Sequence, residues 1–475
     1  MNITRVHFVG IKGVGMAALA VIMKEAGLVV TGSDLSEQYI TDTSLLSAGI
    51  KPFAGFSHER VSRAQLVVTT GAHGGFENVE VVSAKENGVR VVTFAEAVGM
   101  VMDGTLLKRN LKGISIAGTH GKTTTTAMIA TILSANDLDP SYLVGTSHIP
   151  TLSNSGHYGK GDYFVVEADE YATEPSYDKR AKFLWHTPKI VVITNIEHDH
   201  PDIYPTLEDF TQAFYLLLQS LTKDSIVVAN GDDPQIQKLI KNYQGRIITF
   251  GFQPRNDYVI NDVRVGLDKT YFNAASSGKD LGEFELQVPG EHNCLNALAS
   301  VIVSLEAGLD LAAIKNALST FRGSKRRLEL IGTMPAGAIL YDDYAHHPTE
   351  IQKTLKALRK MYPAKKLISI FQPHTYTRTK ALFSEFGRSF EDSDTVILLK
   401  IFSSAREKSD PSISSEMVVA EVKKYKDEVY FLPEVDDVVK YLSNNPPGPD
   451  SVVVMLGAGD VYKIGEKLQV IGYKL

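Results

Sequence analysis

Residues 114–124, ISIAGTHGKTT, decide the fold: an apolar run, a glycine turn and a helix start follow one another without a gap. Ile114–Ala117 reads as a buried strand. Gly118, Thr119, His120, Gly121, Lys122, Thr123 and Thr124 form the turn, with a helix opening at Thr123. Backbone N–H groups at such a helix start, together with its dipole, hold phosphate oxygens. Lys122 then reaches the terminal phosphates, and the Thr123 hydroxyl is placed for Mg²⁺. Two residues rather than four separate the glycines, a departure from the usual nucleotide loop. A capped helix carrying an exposed lysine is the bland alternative, and the strand before the GKT core argues against it.

Two further apolar runs end in acidic clusters. Tyr163–Val166 leads into VVEADE, which carries Glu167 and Asp169, and Ile190–Ile196 leads into TNIEHDHPD, with Asn195, Glu197, His198, Asp199 and His200. Parallel α/β sheets bind ligands at the carboxyl ends of their strands. Mg²⁺ prefers carboxylates and phosphate oxygens. Glu167 is therefore the candidate metal ligand, and His200 is a candidate for a second metal site. Taken singly, such residues are more often solvated loop residues or caps.

Upstream, Arg5–Val9 is a strand, Met16 to about Ala26 a helix, and Val29–Gly32, Gln65–Thr70 and Val89–Thr93 further strands. Gly10, Gly13 and Gly15 make a tight turn after the first strand, and Asp34 ends the second at the offset of a ribose-binding acid. The spacing is GxxGxG, so an NAD-dependent dehydrogenase is a weak reading. A UDP-sugar diphosphate suits the same turn, since a helix start sees only anionic oxygens. Downstream, residues 246–288 alternate in short runs and read as an antiparallel appendage. After a basic link at Phe321–Arg327, strands at Ala338–Tyr341, Lys366–Phe371, Thr395–Leu399 and Ser451–Met455 form a third series. The expected architecture is α/β in three domains: Rossmann-like over 1–109, a P-loop ATPase-type domain with the appendage over 110–324, and Rossmann-like over 325–475.

Size and charge agree with that reading. A chain of 475 residues exceeds what one core supports. Lys and Arg number 49 against 55 Asp and Glu, a formal charge of -6, which argues against a nucleic-acid or anionic-lipid partner. Cys294 is the single cysteine, the start lacks the form of a signal peptide, and no apolar run approaches the ~18 residues of a membrane span. A cytoplasmic protein without membrane insertion is expected.

The chain resembles the Mur ligases nearly end to end, through GIKGVGM, GSD, AGTHGKTTTT, VEADE, TNIEHDHPD, PGEHNCLNALA, GSKRRLE, YDDYAHHPTE, FQPHTYTRT and GAGD. GTHGKTTT marks the family broadly; DDYAHHPTE followed by FQPHTYTRT resembles its alanine-adding branch. The resemblance implies an N-terminal UDP-binding domain, a central ATPase domain and a C-terminal amino-acid domain that closes onto both. It implies ATP and Mg²⁺ as cofactors, and UDP-N-acetylmuramate and L-alanine as the partners joined through an acyl phosphate in peptidoglycan synthesis. It places the UDP-sugar diphosphate near Gly13, Val14 and Gly15, with Asp34 nearby. Lys122 grips the ATP phosphates, while Thr123, Glu167 and His200 hold Mg²⁺. His292, Asn293 and Asn296 lie on the adenine side, Asp343 at the ribose and Arg327 at the terminal phosphate. Tyr344, His346, His374 and Arg378 receive alanine, and His200 or His346 serves as general base.

Four features depart from or refine the pattern. Thr375 stands where some relatives carry a second arginine. Tyr171–His186 is longer and more basic than the family's usual link and is similar to the murein tripeptide ligase, which is the nearest alternative function. The helix TQAFYLLLQSL lacks the modified lysine of several sister ligases, which favours the alanine-adding branch, and TTGAHGG differs from that branch's usual SSAI. A P-loop switch or motor is the alternative from another class.

Overall fold

The computed structural model describes residues 3–470, apart from 268, 404–406 and 408. Among the described residues the strands form three large sheets and one two-stranded hairpin. The first sheet runs, in spatial order, Phe53–Ala54, Val29–Asp34, Arg5–Val9, Leu66–Thr69 and Arg90–Thr93, all parallel. Its first helix, Val14–Glu25, buries every residue from Met16 to Met23. A helix so apolar all round needs cover on both sides. The sheet covers one side. The central domain covers the other, where a Cβ at Gly156 would lie 2.1 Å from the Ala18 carbonyl oxygen. Leu143, Phe164 and Val166 of the central domain join the same apolar cluster, so the two regions share a core.

The central sheet has ten strands. Its middle is the parallel set Ile226–Asn230, Pro188–Ile193, Lys112–Ala117 and Tyr163–Glu167. Side chains alternate along a strand, so Ile190 and Val192 pack with Met128 and Ile132 on one face. Val191 and Ile193 pack with Phe210 and Phe214 on the other. Both faces being covered explains the unbroken β-branched runs.

Two expectations need correction here. The antiparallel appendage expected over residues 246–288 is present on the central domain but starts later: Arg246–Gly251 pairs parallel with Ile226–Asn230 and extends the central sheet. The antiparallel part begins with Tyr258–Val265, which pairs with Thr270–Ser276, itself paired with Lys279–Leu286. The strand expected to reach Ile196 ends at Ile193, because Thr194 and Asn195 turn to brace the phosphate loop.

The third sheet orders Glu329–Thr333, Ile339–Asp343, Ser451–Leu456, Lys366–Phe371, Thr395–Leu398 and Val429–Phe431, parallel except for the first strand. The Tyr171–His186 stretch folds as a hairpin, Ala172–Glu174 against Asp178–Ala181, followed by a 3₁₀ turn at Lys182–Trp185. The hairpin leans on the N-terminal region, where Tyr177 meets Phe76 edge to face and its hydroxyl donates to Glu77. No helix among the described residues is long and apolar enough to cross a membrane.

Candidate active site

Steric need explains the two glycines of the phosphate loop. Gly118 has φ +128°, and a Cβ there would lie 2.1 Å from the Thr194 hydroxyl. Gly121 has φ +82°, with Asn296 Oδ1 2.5 Å from where its Cβ would sit. Bonds from the neighbouring strand end hold the loop: the Thr194 hydroxyl (2.6 Å) and Asn195 Nδ2 (3.0 Å) donate to the His120 carbonyl, and the His120 N–H donates to Asn195 Oδ1 at 2.9 Å.

Lys122 Nζ donates to the Gly118 carbonyl at 2.5 Å and to both oxygens of Glu170 at 2.9 Å. Burial opposes its charge, yet Glu170, Asp169 and Glu167 outweigh this and raise its pKa. Asp169 pairs with Lys182 at 2.6 Å. His200 Nε2 lies 3.4 Å from Glu170 and 3.6 Å from Asp199, and these carboxylates raise its pKa against the effect of burial. Burial raises the Glu167 pKa despite Gly145 N–H, Arg327 and Lys122. A half-buried carboxylate facing the cavity, with the Thr123 hydroxyl as its neighbour, offers the hard oxygen donors that suit Mg²⁺.

The C-terminal domain closes the opposite wall. Arg327 Nη2 donates to the Thr123 hydroxyl at 3.3 Å, and its guanidinium lies over the Tyr344 ring. Arg378, 5% exposed, donates to Asp199 at 2.8 Å and to His374 Nδ1 at 3.2 Å. His346 Nδ1 is 2.9 Å from the Tyr344 carbonyl, so it carries the proton and leaves the Nε2 lone pair free. Burial lowers the pKa of His346 to about 4 and keeps the ring neutral.

All three regions face one cavity of about 460 Å³, within the usual range for ligand sites. Gly13, Val14 and Gly15 line it from the N-terminal region. Lys122, Thr123, Glu167 and His200 come from the centre, and Arg327, Tyr344, His346, His374 and Arg378 from the C-terminal side. A narrower pocket of about 110 Å³ adjoins it, lined by His120, Gly121, Thr124, His292, Asn293, Asn296 and Asp343. His292 is held neutral there by burial, its pKa lowered to about 4.

One expected ligand does not reach either cavity. Asp34 is 1% exposed, lines neither cavity, and accepts from the backbone N–H groups of Lys12 and Leu35 at 2.7 and 2.8 Å. It shapes the glycine turn. Asp343 lines the narrower pocket and also accepts from Leu328 N, Ala345 N and the Thr354 hydroxyl, which fixes its carboxylate on the interdomain link. Sequence reasoning missed Glu170, the partner of Lys122, although it stands beside Asp169 in the same motif. It also missed Glu350, which reads as a helix-capping acid. Glu350 accepts from the His346 and His347 N–H groups and also lies 3.3 Å from His120 and 3.7 Å from Arg327.

A phosphate loop facing two further α/β units across one charged cavity defines a three-domain, nucleotide-using enzyme. Family models match in series: the Mur ligase family catalytic domain over residues 5–105, the Mur ligase middle domain over 116–304, and the Mur ligase glutamate ligase domain over 326–459. The chain is 38% identical to the UDP-N-acetylmuramate–L-alanine ligase of Desulfitobacterium hafniense, covering 98% of this chain and 99% of that one. It is also 38% identical to the ligase of the same name from Caldanaerobacter subterraneus, over 98% and 96%. The crystal structure of UDP-N-acetylmuramate-alanine ligase from Thermotoga maritima superposes with a TM-score of 0.81 at 27% identity, covering 98% of both chains. A murein peptide ligase from Psychrobacter arcticus, at 23% identity and TM-score 0.72 over 98% of both, shares the fold. The chain belongs to the Mur ligase family.

Proposed function

We propose that this protein is an ATP-dependent ligase joining L-alanine to the carboxylate of UDP-N-acetylmuramate in peptidoglycan precursor synthesis. The observation that carries this reading is the convergence of the glycine turn, the phosphate loop and the Tyr344–Arg378 wall on a single cavity. The curated relatives of that name support it over the tripeptide-adding alternative.

A carboxylate is a poor electrophile. Transfer of the γ-phosphoryl group of ATP turns it into an acyl phosphate and releases ADP; the alanine amine then attacks the carbonyl, and phosphate leaves. Lys122 and Arg327 supply fixed positive charge around the transferring group, which is positioning and electrostatics rather than covalent chemistry. Thr123 and Glu167 would hold Mg²⁺, which when bound adds neutralising charge on the phosphate oxygens. His200, whose Nε2 faces Glu170 and Asp199 at 3.4 and 3.6 Å, would join them through that nitrogen only in its unprotonated form. The free Nε2 of neutral His346 suits it to take the proton released as the C–N bond forms, which favours it over His200 as base. Asp199 orients Arg378 toward the amino-acid carboxylate.

The test is ADP release with ATP, Mg²⁺ and UDP-N-acetylmuramate, comparing L-alanine, glycine, L-serine and the tripeptide L-Ala-γ-D-Glu-meso-diaminopimelate, with product masses measured. A condensed product with L-alanine is expected. Product formation with the tripeptide alone would overturn the specificity, and ADP release independent of the muramyl nucleotide would overturn the ligase reading.

A further inference from the structure

A second group of metal-type side chains lies where the phosphate loop meets the C-terminal domain, apart from Glu167 and Thr123. His120 of the loop, Glu197 after the Pro188–Ile193 strand and His347 ahead of the Pro348–Met361 helix bring one ligand atom each within 4.8 Å of one another. We propose that His120 Nε2, Glu197 Oε2 and His347 Nδ1 form a site for a transition-metal dication of the zinc class, tying the phosphate loop to the C-terminal domain.

The spacing fits a metal better than hydrogen bonds. His120 Nε2 is 3.4 Å from Glu197 Oε2, and His347 Nδ1 is 3.9 Å from the same oxygen. Zinc bonds of about 2.0–2.1 Å in a tetrahedron put neighbouring ligand atoms roughly 3.3–3.4 Å apart. The first separation already matches that edge, the second exceeds it by about half an ångström, and the two ring nitrogens lie within 4.8 Å of each other. His120 is 7% exposed, and its Nε2, directed into the cluster, makes no well-formed hydrogen bond and meets only the Glu197 carboxylate at 3.4 Å. Leaving such an atom unsatisfied is costly unless something binds it.

The outer contacts select the same nitrogens. Metal-bound histidines usually donate their other ring N–H to a carboxylate or carbonyl. His120 Nδ1 faces Glu350 Oε1 at 3.3 Å, and His347 Nε2 faces the His198 carbonyl at 3.3 Å. Both arrangements leave the inward nitrogen as the ligand. Burial keeps His347 neutral. Nδ1 of His347 also accepts from the Thr349 N–H at 3.3 Å, a long bond that a metal would displace. Two imidazoles and one carboxylate suit zinc or cobalt rather than Mg²⁺. The other cluster, Asp169, Glu170 and His200, already holds the ammonium groups of Lys122 and Lys182.

The test uses the untagged full chain, stripped of metal and titrated with CoCl₂ in excess Mg²⁺. Expected are the intense visible bands of four-coordinate Co²⁺ at one equivalent, abolished by ZnCl₂. His347→Ala and Glu197→Gln should each weaken Co²⁺ binding at least about tenfold, while the exposed His58→Ala leaves it unchanged. Circular dichroism checks folding; if His347→Ala fails to fold, Glu197→Gln, which keeps both imidazoles, decides. Only the weak spectrum of octahedral Co²⁺, or unaltered binding in the folded variants, overturns the site.

Discussion

Lys122 and Glu170 form a buried pair, their side chains 15% and 1% exposed. Removing one member of such a pair strands the other, at a cost of about 3 kcal/mol. Lys122→Met should therefore lower the melting temperature and cut kcat/KM by about 10²–10³-fold. Adding Glu170→Gln should recover much of the stability and none of the activity. Thermal denaturation of the single and double variants checks this; a double variant no more stable than the single would mean that His200, 3.4 Å away, already serves as the cation for Glu170. At this scale the residues of the phosphate loop were legible, because strand, glycines and lysine are contiguous. Their partners were not, since Glu350 sits 230 positions from His120 and carries the local signature of a cap.

Among the elements, the buried central strands were plain from their β-branched runs, while edge strands escaped notice. Glu329–Thr333 and Val429–Phe431 flank the third sheet, and with one exposed face each they lack a continuous apolar run. Strand ends were misjudged where polar residues leave the ladder for the site, as at Thr194. Thr206 accepts from the Asp209 N–H, Asp209 bonds back to the Thr206 N–H, and the helix Leu207–Ser220 follows, burying Phe210, Phe214 and Leu217. Thr206→Ala removes half of that reciprocal cap and should cost about 1 kcal/mol. Urea unfolding would show a lowered midpoint at unchanged slope, whereas an unshifted midpoint would mean that water replaces the hydroxyl without loss.

Across the whole molecule, the fold depends on joints between regions that no local pattern announces. One is small and titratable. Glu25 closes the first helix of the N-terminal region, and its carboxylate accepts from the Tyr158 N–H at 2.7 Å and lies 2.8 Å from His157 Nδ1; His157 Nε2 lies 3.1 Å from Asp139. Hydrogen bonds to Glu25 raise the His157 pKa above its ordinary 6.5, with Asp139 adding to the effect and burial opposing it. Burial works against the Glu25 charge, but His157 and Tyr158 hold its pKa below 4.5. The Lys160 N–H and His157 hold Asp139 below 3.8. A raised histidine pKa gives stability that is full below 6.5 and lost as pH climbs through the folded value. Lowered carboxylate values give stability present above their ordinary values and lost as pH falls through the folded ones. The joint therefore acts most strongly between about pH 4.5 and 6.5, and solvent screening keeps it below about 1 kcal/mol. Melting curves of wild type and His157→Gln should differ most in that window and converge above neutrality. A difference that stayed constant into the alkaline range would assign His157 a packing role against Tyr142 instead, with its charge irrelevant to how the two regions hold together.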